Sequence, residues 1–223
     1  GDVLMRVLYR VRPYEKFKHS ANQLYRKWVD VIRLSMAHES DKKFNKNIQK
    51  IISDFDQIEI NEEMVKPKIG IVGEILVKYH PDANNGIVDV LENEGAEVIV
   101  PDFLDFFMYS FYNSDFKYRQ LSGSLKSATI GEVAIRLVER YRKVMKKSLE
   151  ESIRFNPPNA IKTIADGARE HLTRGNQTGE GWFLTGEMVE LIESGVPNIF
   201  CLQPFGCLPN HIVGKGMIKK KRN

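Results

Sequence analysis

The sequence predicts an α/β fold: a short parallel sheet flanked by helices, with a large helical complement. Three observations predict it. Lys68-Ile69-Gly70-Ile71-Val72 is a near-continuous apolar run behind Pro67, the pattern of a parallel strand buried on both faces. A helical stretch follows, with Ile87, Val88 and Leu91 inward and Gly95 at its end; Glu97 to Val100 then reads as a second short strand, stopped by Pro101. Far downstream, a helix with Leu184, Met188, Leu191 and Ile192 inward ends at Gly195, and Pro197 opens a third strand, Asn198–Leu202. The first two strands and their helix make a βαβ unit of the doubly wound kind.

The remaining elements read as helices, in chain order. Residues 2–11 are a short apolar-basic stretch ending at Arg12-Pro13. From about Glu15, Phe17, Ala21, Leu24, Tyr25, Trp28, Val31 and Ile32 recur at helical spacing. Ser40 is an N-cap for a helix with Phe44, Ile48, Ile51, Ile52 and Phe55 on one stripe. Asp82 is read as the cap of the helix that follows the first strand. Residues 102–120 are dense in aromatics, including Phe103, Phe106, Phe107 and Phe111, which suits core or a subunit interface. Residues 130–152 form a long amphipathic helix. Ile130, Ala134, Leu137, Val138, Tyr141 and Met145 are expected to face inward, and a face including Arg136, Arg142 and Lys143 is expected in solvent. Another helix carries Ile161, Ile164, Ala165, Ala168 and Leu172, and a last one is expected from about residue 211 to the end. The organisation predicted is a helical segment, 1–62, and an α/β domain, 63–223, with a helical excursion at about 102–172.

Composition bounds the function. The 223 residues carry a formal charge of +4, too mild to suggest a nucleic-acid binder, and no apolar run is long enough to span a bilayer. No signal peptide is visible, so the expected location is cytoplasmic. The chain begins at Gly1 without Met and stops where a helix is expected to be running, so it reads as a segment of a longer protein.

In an open parallel sheet, ligands bind beyond the carboxyl ends of the strands. That rule brings together a loop with Glu74, Lys78, His80, Asn84 and Asn85, a loop with Asp102 and Asp105, and a loop from Gln203 to Asn210. Gly70 to Glu74 lacks the dinucleotide glycine fingerprint, and Glu74 would repel a pyrophosphate. Glu74 and Lys78 also suit a local ion pair. His80 can bind an anion, act as an acid or base, or simply fill its loop. Asn84 and Asn85, and likewise Gly179, Glu180 and Gly181, stand near helix starts, where free N–H groups favour a carboxylate or phosphate.

The two cysteines are the most informative residues. Cys201 falls on a strand expected to be buried, where a thiol is usually a small core group. Cys207 falls in a loop between Gly206 and Pro209, at the start of an expected helix whose dipole would stabilise a thiolate. Cys207 therefore suits a metal ligand or a reactive thiol, with Cys201 the second candidate. Zinc would need Cys201, Cys207, His211 and His80 together, and the cysteine spacing is not that of a zinc finger.

Three stretches, 1–16, 73–107 and 179–219, resemble the fused CoA-substrate-specific enzyme activases related to the 2-hydroxyacyl-CoA dehydratases. In that family an ATP-hydrolysing, actin-like activator is joined to segments similar to the dehydratase subunits. The resemblance implies flavodoxin-like α/β domains, a [4Fe-4S] cluster held by cysteines, and one-electron transfer driven by ATP hydrolysis in anaerobic metabolism. Cys207-Leu208-Pro209 matches the family's late cysteine in its Cys-x-Pro setting, and Cys201 matches it less well. The earlier cluster cysteines have no counterpart, and neither do the activator's nucleotide motifs. The expected function is thus that of an electron-transfer or dehydratase-like component. Its expected partners are an ATP-hydrolysing activator domain and a CoA ester, with a homodimer also considered. Two rivals stand beside it: an acyl-CoA or nucleotide-binding module using Asn84, Asn85 and the 179–181 loop, and a docking domain using the aromatic run.

Overall fold

The computed structural model describes residues 1–35 and 40–217. Its elements run α1 (Asp2–Val11), α2 (Ser20–Ser35), α3 (Asp41–Asp56), β1 (Lys68–Gly73), α4 (Ile75–Tyr79), α5 (Pro81–Asn84), α6 (Ile87–Asn93), β2 (Glu97–Ile99), α7 (Leu104–Gln120), α8 (Leu125–Glu150), α9 (Ile161–Arg169), α10 (Gly181–Glu193) and β3 (Asn198–Leu202). A π-helical turn, Asn210–Gly214, follows β3.

The three predicted strands form one parallel sheet in the order β2-β1-β3, with Ile69 opposite Val98 on one side and Val72 opposite Cys201 on the other. Successive side chains of a strand point to opposite faces, and Ile71 and Val72 are both fully buried, as the apolar run requires. Ile71 packs with Val98, Val100, Ile87 and Leu91 on the α1–α6 side. Val72 packs with Leu184, Met188 and Leu191 of α10 on the other. The result is a three-layer α/β arrangement with a large helical complement. Among the described residues, no helix is long and apolar enough to cross a membrane.

The N-terminal helices are tied to this layer. Val3, Leu4, Val7, Leu8 and Val11 of α1 face the core. Arg12 Nε donates to Glu92 of α6 at 2.6 Å, and the buried Tyr14 hydroxyl donates to Glu97 of β2 at 2.7 Å. Burial, with the Glu97 carboxylate beside it, pushes the Tyr14 hydroxyl up to about 12. Ser40 caps α3 as expected, accepting from the Lys43 N–H.

Four expectations need correction. The helix expected over Glu15–Ile32 starts only at Ser20, which leaves Phe17 exposed. The helix after β1 is broken, because Asn85 and Gly86 both adopt positive φ between α5 and α6, and His80 rather than Asp82 stands at the N-cap. On α8 the buried row is Gly131, Arg142, Met145 and Leu149, whereas Ile130, Leu137 and Tyr141 are about half exposed. The expected last helix starts earlier, at Leu208, and is wound differently: residues 208–217 are helical without a break, π-helical over Asn210–Gly214 and 3-10 after it, and 218–223 lie outside the described residues.

Candidate functional site

The connection from β1 through α6 places β2 on one side of β1, and the long return through α7–α10 places β3 on the other. The chain therefore diverges at the carboxyl ends of β1 and β3, the position where open α/β sheets bind ligands. Gly73 makes the floor of that crevice. Its φ of +139° disfavours a side chain, and an added Cβ would lie 1.9 Å from the Leu202 carbonyl oxygen. The Glu74 N–H donates to the same oxygen at 3.0 Å, which seats the β1 loop on β3.

The crevice is built from four loops and helix ends. Lys78 is not paired with Glu74. Glu74 caps α4 by accepting from the Val77 N–H at 2.9 Å, and Lys78 turns inward to donate to Glu187 Oε1 at 2.6 Å. Both partners are almost wholly buried, with 3% and 1% of their side chains exposed. Burial pushes the Glu187 carboxyl up to about 7, against the pull of Lys78. The Lys78 ammonium also lies 4.7 Å from the Tyr79 ring centre.

Glu180, at the start of α10, accepts from the Ile75 N–H at 3.1 Å and from the Asn210 amide at 3.4 Å. Asn210 in turn donates to Cys207 Sγ at 3.0 Å. Three buried oxygens in this region, Glu187 Oε2, Asn210 Oδ1 and Gln203 Oε1, have no protein partner. Native interiors leave few such atoms, and others lie outside the crevice, Arg142 Nε among them.

The anion-binding readings fare differently. Asn84 spends its side chain on the fold, donating to the Val77 carbonyl at 2.8 Å and accepting from the Ile87 N–H at 3.2 Å. Asn85 is the left-handed residue that ends α5, and His80 is exposed at its N-cap. At α10 the Gly181 and Trp182 N–H groups donate to the Thr178 and Asn176 carbonyls, and Glu180 places a carboxylate at the helix start. Gly179 and Gly181 serve this turn: both have positive φ, and the Tyr109 hydroxyl donates to the Gly179 carbonyl. These positions build the crevice walls and present no free anion cradle.

The cysteines separate as well. Cys201 lies on β3 with its sulfur against Gly214, and burial pushes its thiol up to about 11. Cys207 stands in the loop beyond, beside the exposed Phe205 and Leu208. The helix expected after it begins directly at Leu208 and is helical through 217, with its middle π-wound. A [4Fe-4S] cluster needs about four ligands. Among the described residues no group of three or more His, Cys, Asp or Glu side chains could hold a metal ion. The described residues therefore do not make up a cluster site by themselves, and Cys207 can offer one ligand.

A second charge cluster forms where Asp102 and Asp105 meet arginines distant in sequence. Asp102, just after β2, accepts from Arg6 Nη2 at 2.7 Å and from Arg142 Nη2 at 3.2 Å, and Arg142 Nη1 donates to Asp105 at 2.7 Å. Arg142, expected in solvent, is buried. Burial raises the Asp105 carboxyl, opposed by Arg142 and reinforced by Asp102. The Glu187 position did carry a signal. It stands three residues after Leu184 and four before Leu191, so it shares their inward face.

Compared with known proteins, the chain matches no family model, no curated protein and no solved structure.

Proposed function

We propose that the chain is a component of a larger iron–sulfur protein related to the 2-hydroxyacyl-CoA dehydratases. It takes part in ATP-driven, low-potential electron transfer to a CoA-ester substrate or partner. The observation that carries this reading is the placement of Cys207. It lies at the switch point of a parallel sheet, with its sulfur held by Asn210 and its loop flanked by exposed Phe205 and Leu208. The Asn210 amide N–H directed at the sulfur fixes the orientation of the side chain. Asn210 is itself fixed by Glu180, so the thiol is oriented before any partner arrives. The remaining ligands and the ATPase are supplied from outside the described residues, and the chain alone is inactive.

The test is anaerobic reconstitution with iron and sulfide, in the presence of the ATP-hydrolysing activator. Cys207→Ala should lose iron, sulfide and the reduced-cluster EPR signal, while Cys201→Ala retains them. Unchanged iron in Cys207→Ala would sink the assignment.

A further inference from the structure

The long helix α8 leaves a row of apolar side chains without a partner. Ile130, Val133, Leu137 and Tyr141 are 58%, 57%, 53% and 48% exposed. Their spacing puts them on one face of the helix, over roughly 17 Å or three turns. The row borders a groove of about 700 Å³, whose walls include Phe44, Ile48 and Ile51 of α3, Leu4 of α1 and Phe103. An exposed apolar strip of this length is unusual on a soluble surface and marks an interaction site.

Charge decides what fits. On α8, Lys126, Arg136 and Arg140 stand one turn from Ile130, Val133 and Leu137, and all three are exposed. On α3, Lys43 and Lys50 stand one turn on either side of Asn47, which lines the groove. Basic rails therefore flank the apolar strip on both helices. The acidic side chains near them are engaged in the fold or lie at its ends: Glu132 pairs with Arg136, Glu139 with Lys146 and Arg142, and Asp41 starts α3. Of the two that line the groove, Asp2 accepts from the Leu104 N–H and Asp102 from Arg6 and Arg142. A second copy would bring its own basic rails against these. A flat bilayer would leave the concave groove unfilled.

We infer that this groove docks an amphipathic helix with acidic flanks, supplied by a partner protein. Apolar residues of the incoming helix at three- and four-residue spacing enter between α3 and α8, and its carboxylates face the lysine and arginine rails. This site is separate from the Cys207 crevice and does not depend on its role.

Calorimetry with two synthetic helical peptides tests the inference. Both carry leucines at helical spacing; one has glutamates on its flanks and the other has lysines. The glutamate peptide should bind at least ~10-fold more tightly, and salt should weaken it. Leu137→Asp should abolish that binding, with an unchanged circular dichroism spectrum. Arg136→Glu with Arg140→Glu should reverse the preference between the peptides. Equal affinity for both peptides, or binding of neither, overturns the inference. So does self-association that Leu137→Asp disrupts, or capture by anionic vesicles in place of the peptide.

Discussion

Two buried charge clusters lie beyond the carboxyl end of the sheet, and they are built differently. The one beside β2 is a clamp. Asp102 receives two guanidinium groups, and Arg142 spans three carboxylates, those of Asp102, Asp105 and Glu139. The one between β1 and β3 is a single pair, Lys78–Glu187, in which Glu187 Oε2 lacks a partner, as Arg142 Nε does in the clamp. Removing one member of a buried pair leaves an uncompensated charge, so both clusters are costly to disturb. The difference is in what they leave free. The clamp uses its carboxylates to hold α1 and α8 against β2. The crevice keeps acceptors unspent beside an oriented thiol. The clamp serves the fold, and the crevice is the candidate site.

The sharpest way to break this comparison is at the clamp. Arg142→Met strands Asp105 and leaves Asp102 with Arg6 alone, and should destabilise the chain by about 4 kcal/mol in urea titration. Lys78→Met should cost less, about 3 kcal/mol, because Glu187 already tends toward its neutral form and can keep its proton. Lys78→Met combined with Glu187→Met should recover most of that loss, since two apolar groups replace a buried pair. Recovery at the clamp by removing one acid should be smaller, because the other acid remains. Equal losses at the two clusters would erase the distinction.

A pH series sharpens it. The Glu187 carboxyl titrates near 4.5 when unfolded and about 7 when folded. Between those values the folded chain holds more protons than the unfolded one. Its contribution to stability is therefore complete below 4.5 and is lost as pH rises through about 7. Urea midpoints measured across that window should fall less steeply in Glu187→Gln than in the parent chain. The smallest effect is expected at Asn210→Leu, about 1 kcal/mol in stability, from loss of its hydrogen bonds. Its main consequence should be a less ordered Cys207 loop, read as faster amide exchange there.

The sheet was legible in the sequence because its signals are local. Apolar runs of strand length, the helix-ending Gly95 and Gly195 and the strand-flanking Pro67, Pro101 and Pro197 define β1, β2 and β3, and parallel pairing then brings their loops to one edge. The charge clusters were not legible, because their partners are distant in sequence. Arg142 lies 37 and 40 residues from its acids, and Lys78 lies 109 from Glu187. On α8 the sequence holds two apolar rows. One, through Ile130, Leu137 and Tyr141, is continuous; the other, through Val138, Met145 and Leu149, is interrupted by Arg142. Periodicity favours the first. The fold buries the second, because Asp102 and Asp105 neutralise its arginine. The roles of Asn84 and Glu180 were hidden for a similar reason: a side chain near a helix start looks alike whether it caps the backbone or awaits a ligand.

Both thiols are half-buried, and the central claim assigns the ligand role to Cys207, in the loop beyond β3, rather than to Cys201 on the strand. Iodoacetamide labelling of the native chain, mapped by mass spectrometry, tests it directly. Cys207 should be modified first and Cys201 more slowly, because burial raises the Cys201 thiol to about 11. Labelling of Cys201 ahead of Cys207, or at an equal rate in the folded chain, would contradict the account.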